Sequence, residues 1–98
     1  MTLPDLLSTL QLHRSTIAAE GATALYLHGS RARGDHRADS DVDLFVDYDA
    51  SKPFGLFDLA GIKLLVDEAL GLEAHVTTRD SLHPKLRAQI EQQAVRVF

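Results

Sequence analysis

The chain has 98 residues, 45% of them hydrophobic, with a formal net charge of −4 and no cysteine. That length holds one domain (1–98) around one modest core, with no room for a separate substrate domain; the acidic balance argues against stable direct nucleic-acid binding, which relies on a basic surface. The lack of cysteine excludes disulfides and thiolate metal sites and agrees with a reducing cytoplasm, while no apolar stretch approaches the ~20 residues that span a bilayer and Asp5 stands where an export signal would be basic, so a cytoplasmic chain with no membrane attachment is expected.

The first predicted element is a helix over 2–20. Thr2 is placed to cap it, Pro4 falls in the first turn, Leu3, Leu6, Leu7, Leu10 and Ile17 form an apolar stripe, and Gly21 is placed to end it. His13 and Arg14 read as surface residues. A strand follows over 23–28 and a second over 42–47. Between them, residues 31–40 begin as a helical turn and become a loop at Gly34-Asp35, where His36, Arg37 and Asp39 read as solvated.

This pair of strands carries the chemistry. Side chains alternate along a strand, so Asp41 and Asp43 share a face about 7 Å apart along the backbone, while Val42 and Leu44 point into a core. Two like charges so close repel unless a cation sits between them, and Mg²⁺ prefers hard oxygen ligands of this kind alongside substrate phosphates. Gly29 suits a tight turn. Ser30 and the amides after it start a short helix whose exposed N–H groups suit a phosphate, with Arg31 and Arg33 as cationic donors beside it. Six of the fourteen acidic residues fall within positions 35–49; bound divalent cations or a basic partner surface would each answer that cluster.

Residues 49–53 read as a turn, and 54–70 as a helix with Leu56, Leu59, Ile62, Val66 and Leu70 at helical spacing and Gly71 ending it. A helix joining two strands lets the second and third strands run parallel. The third strand is expected over 72–77, with Glu73, His75 and Thr77 on its polar face. A turn at 79–81 precedes a last helix over 83–94, opened by Pro84 and carrying Leu86, Ile90 and Ala94 on one face. Residues 95–98 suit an edge strand or a partner contact, and Leu82, Val97 and Phe98 are expected to be exposed in the isolated chain.

Gly29-Ser30, a ten-residue spacer and Asp41-x-Asp43 between two apolar runs match the G-S-x10-D-x-D signature of the DNA polymerase β-like nucleotidyltransferases. Within that superfamily the wording GSRARGDHRADSDVDLFV resembles the minimal nucleotidyltransferases, the MNT proteins found beside HEPN partners in bacteria and archaea. The resemblance covers nearly the whole chain. It implies an α/β (α+β) polymerase β-like fold, a small mixed sheet flanked by helices. It also implies that Gly29, Ser30 and Arg33 bind a nucleotide, ATP being the substrate, and that Asp41 and Asp43 are catalytic and hold Mg²⁺ or Mn²⁺.

The family places a third carboxylate on the third strand. Aligning LEAHVTTRDSLHP with its usual wording puts His75 at that position. His75 is then a functional replacement, since a neutral imidazole accepts a proton but suits Mn²⁺ or Zn²⁺ better than Mg²⁺; or Glu73 supplies the carboxylate; or catalysis is lost and a protonated His75 partly neutralises Asp41 and Asp43. The resemblance implies an antitoxin, in hetero-oligomeric complex with a HEPN ribonuclease toxin, that transfers AMP from ATP to a toxin tyrosine hydroxyl. A degenerate protein that inhibits its partner by binding alone is the competing reading. A transferase acting on a small molecule is a third, disfavoured by the lack of a second domain to form an acceptor pocket.

Overall fold

The computed structural model describes all of residues 1–98. In chain order the elements are α1 (Leu3–Leu12), α2 (Arg14–Ala19), β1 (Ala22–His28), α3 (Gly29–Arg33), β2 (Val42–Tyr48), α4 (Leu56–Leu70), β3 (Ala74–Thr78), a 3-10 turn (Arg79–Ser81), α5 (Arg87–Gln93) and β4 (Val95–Arg96). One mixed sheet runs in the order β3-β2-β1-β4. β1 is antiparallel to both β2 and β4, and β2 is parallel to β3 across the α4 crossover, as the sequence implies.

One face of the sheet makes the core. Leu25 and Leu27 of β1, Val42, Leu44 and Val46 of β2 and Ala74 of β3 pack there against Leu6, Leu10 and Ile17 from the first two helices and Ile62, Val66 and Leu70 from α4. The alternate residues Tyr26, His28, Asp43, Phe45 and His75 therefore share the opposite face.

Five expectations need correction. The first helix is two. His13 (φ −98°, ψ 11°) ends α1, its N–H bonding to the carbonyl of Leu10 at 3.0 Å, and beyond it α2 packs on the core through Ile17. The capping at the start holds, with Thr2 and Asp5 exchanging side-chain and backbone hydrogen bonds. The fourth helix begins at Leu56 rather than 54, because the Phe54 ring turns away to stack on Tyr48 (centroids 5.0 Å apart) and Asp58 accepts the Gly55 N–H at 2.8 Å. Leu56 consequently leaves the apolar stripe and is 82% exposed.

β3 starts at Ala74 rather than 72, and Asp67 fixes that start by accepting the Ala74 N–H at 2.7 Å. Lastly, the final helix is only Arg87–Gln93, preceded by a turn at 84–86, with Leu86 half exposed. The residues expected to be exposed, Leu82, Val97 and Phe98, are buried. Val97 N–H donates to the Leu25 carbonyl (2.8 Å), Leu25 N–H to the Phe98 carbonyl (3.1 Å), and Gln11 Nε2 to the Val97 carbonyl (3.0 Å), so the terminus closes the β1 edge of the core.

Candidate active site

β1 runs directly into α3 through Gly29, whose φ of +74° only glycine adopts without strain. The antiparallel register sets His28 opposite Asp43, and the parallel register sets Asp43 opposite His75. A His28-Asp43-His75 row thus crosses three strands on the face opposite the core. The Asp43 carboxylate sits against the Gly29 backbone: a Cβ at Gly29 would overlap Oδ2 and lie 3.1 Å from Cγ. This is the close approach that the glycine permits.

Asp41 lies one residue before β2, and its Oδ2 is 2.8 Å from His75 Nε2. That hydrogen bond, reinforced by the charges of Asp41, Asp43 and Glu73, raises the His75 pKa above its ordinary value and favours the imidazolium. His28 behaves oppositely. Its partial burial outweighs the attraction of Asp43 and lowers its pKa, favouring the neutral ring.

The predicted site residues are brought together unequally. Gly29, Ser30, Asp41, Asp43 and His75 converge at the end of β1 and the starts of β2 and β3. Arg33 stands exposed at the end of α3, with Nε 3.1 Å from Asp35 Oδ2. Arg31, expected to face a phosphate, is instead buried. Its Nε donates to the Ser40 carbonyl (3.0 Å) and its Nη2 to those of Ala38 (3.1 Å) and Arg37 (3.4 Å), so the guanidinium pins the loop that delivers Asp41. Glu73 precedes β3, exposed and 4.0 Å from Lys63, which itself pairs with Asp67 at 2.8 Å. Neither Lys63 nor His28 stood out in the sequence. Alternation with Leu25 and Leu27 was the available signal for His28, whereas Lys63 has none, since only the packing of α4 beside β3 brings it near.

The donor set suits a hard cation in part. Asp41 and Asp43 supply carboxylate oxygens, while no group of three or more His, Cys, Asp or Glu side chains converges to enclose a metal. Two carboxylates with substrate phosphates and water completing the shell is how Mg²⁺ commonly binds, so the residues fit a cation that arrives with its nucleotide.

The model of a nucleotidyltransferase domain matches residues 13–97. The chain belongs to that family. The chain is 36% identical over 78 residues to "Putative protein adenylyltransferase MJ0435" of Methanocaldococcus jannaschii, covering 80% of this chain and 82% of the relative. Among solved structures it superposes on a "putative minimal nucleotidyltransferase" with a TM-score of 0.82 at 34% identity, over 97% of this chain and 95% of the other. A toxin-antitoxin structure with AMP-PNP shares the fold at 16% identity, with a TM-score of 0.70 over 90% of this chain and 72% of that one. No helix of the chain is long and apolar enough to cross a membrane.

Proposed function

We propose that this nucleotidyltransferase is a cytoplasmic antitoxin that neutralises a HEPN ribonuclease toxin by transferring AMP from ATP to a tyrosine hydroxyl of that toxin. The observation that carries the reading is the Asp43 carboxylate seated on the Gly29 backbone, with Asp41 beside it, at the point where the signature implies a triphosphate. The name of the Methanocaldococcus jannaschii relative and the toxin-antitoxin fold neighbour support the kind of reaction and the kind of partner.

In the transfer, the tyrosine oxygen forms a bond to the α-phosphorus, the α–β phosphoanhydride bond breaks, pyrophosphate leaves and the hydroxyl proton passes to solvent water. When bound, Mg²⁺ or Mn²⁺ supplies charge neutralisation on the triphosphate. Asp41 and Asp43 are the residues that would hold it. The amides following Gly29 receive phosphate oxygens, and Arg33 adds a cationic donor at the rim. Arg31 acts at a distance by fixing the loop before Asp41.

One observation favours the second reading, inhibition by binding alone. His75 Nε2 already engages Asp41 Oδ2 at 2.8 Å, so that nitrogen is not free to take a proton from an incoming hydroxyl. Incubation of the purified protein and its HEPN partner with α-labelled ATP and Mg²⁺ or Mn²⁺ separates the two. Transfer predicts a labelled partner; binding alone predicts neutralisation without label that survives Asp41→Ala with Asp43→Ala.

A further inference from the structure

The mixed sheet has two edges, and they differ in how they are protected. β4 is a two-residue strand that carries Arg96. β3, at the other edge, runs for five residues, Ala74-His75-Val76-Thr77-Thr78, with no Lys, Arg, Asp, Glu or Pro and an unbroken register against β2. Charges, prolines and bulges are the usual devices that stop a sheet edge from pairing with another chain. β3 has none of them.

The ladder with β2 identifies the backbone groups left over. The Val42 N–H donates to the Glu73 carbonyl at 2.8 Å, so Glu73, His75 and Thr77 direct their backbone groups to β2, while Ala74, Val76 and Thr78 direct theirs away from it. Asp67 Oδ1 takes the Ala74 N–H at 2.7 Å. The Ala74 carbonyl, the Val76 N–H and carbonyl and the Thr78 N–H bond to no other segment. Donors and acceptors repeating at strand spacing match an extended peptide backbone.

This edge borders the candidate site. His75 belongs to both, with Nε2 2.8 Å from Asp41 Oδ2, its Cα opposite Asp43 and its side chain 55% exposed. Gly29 and Ser30 lie on the other side of Asp43, where β1 runs into α3. In-line transfer sets the attacking oxygen opposite the leaving group, so phosphates held at Gly29 and Ser30 require the acceptor to come from the β3 side. A strand added outside β3 lies two strand spacings from β2, about 9.6 Å, and its residue opposite His75 shares the face of Asp43.

We propose that the outer edge of β3 seats the acceptor: an extended segment of the partner protein joins the sheet as a further strand and turns its tyrosine over His75 toward Asp43. This rests on the transferase reading and adds to it the form in which the substrate is held.

An amide chemical-shift titration of the full chain tests it, with a blocked Thr-Val-Tyr-Val-Thr peptide, the same peptide N-methylated at both valines, and one with leucine in place of tyrosine. The proposal expects saturable shifts at Val76 and Thr78 with the tyrosine and leucine peptides, and a ring-current shift at His75 with tyrosine alone. N-methylation removes the two donors aimed at β3 and weakens binding by at least about tenfold. Val76→Pro deletes an outward donor and no bond to β2, with about the same loss; the N-methylated peptide on the wild-type protein makes the test where that variant does not fold. Equal binding of the N-methylated peptide, no saturable shift, shifts confined elsewhere, or shifts at Val76 that follow the protein's own concentration, which mark a second copy as occupant, each overturn it. Adding α-labelled ATP with Mg²⁺ or Mn²⁺ to the tyrosine peptide separates the two ideas. Shifts along β3 without label count against the transferase reading and leave the strand-docking edge standing, whereas labelled peptide without shifts at Val76 and Thr78 upholds transfer and overturns the docking.

Discussion

Gly29→Ala separates the backbone cost of a left-handed residue from the cost of moving a functional carboxylate. At φ +74° an alanine loses roughly 1–2 kcal/mol relative to glycine. Its methyl would also lie 3.1 Å from Asp43 Cγ and closer still to Oδ2, inside the 3.4–4 Å of ordinary contact, so the carboxyl group must be displaced. Gly34 is the natural control: its φ is +84°, yet a Cβ there meets nothing within 4 Å. Both substitutions should lower the unfolding midpoint, by about 4–8 °C for each kcal/mol in a domain of this size. Only Gly29→Ala should also lose AMP transfer, by on the order of a hundredfold if the carboxylate moves about 1 Å. The assays are thermal unfolding followed by circular dichroism and single-turnover labelling of the partner. Wild-type transfer by Gly29→Ala, or an equal loss in Gly34→Ala, would refute the reasoning.

Arg31→Met leaves the carbonyls of Arg37, Ala38 and Ser40 without their shared donor, and should cost on the order of 2 kcal/mol in urea unfolding and speed proteolytic cleavage within residues 35–41. His75→Asp restores a carboxylate to the third strand and frees Asp41 Oδ2, so labelling should rise by at least about tenfold; no change would mean that His75 does not limit transfer. Asp67 has its pKa lowered chiefly by the hydrogen bond from Lys63, with a further contribution from the Ala74 N–H. Its stabilising contribution is present above its ordinary value of 3.8 and is lost as pH falls through the lower folded value. Asp67→Asn should therefore lower the urea midpoint at pH 7 and narrow its gap from wild type at pH 3; a gap independent of pH would contradict this assignment.

The part of the site written in short-range spacing was legible. Gly29 directly follows β1, Asp41 directly precedes β2 and Asp43 lies within it, a local connection joining the two strands, and strand alternation alone puts Val42 and Leu44 on the face opposite Asp43. Arg31 was misread because an arginine flanked by polar residues normally faces water, and only the return of residues 37–40 over α3 gives its guanidinium enough carbonyls to be buried. The same holds at the end of the chain, where Val97 and Phe98 look exposed until β1 offers Leu25 as a backbone partner and α1 offers Gln11. Phe54 was expected to open the helix, but the Tyr48 ring and the bare face of Gly21 draw it out, which is what shortens α4 and leaves Leu56 on the surface. These failures are long-range contacts overriding local pattern.

The most direct measurement of the central claim is the mass of the proposed HEPN partner after incubation with ATP, Mg²⁺ and either the wild-type protein or Asp43→Ala. A tyrosine carrying one added adenylyl group with wild type, and an unmodified partner with the variant, is the predicted result. Equal modification by both proteins would contradict a catalytic role for the carboxylate that rests on Gly29.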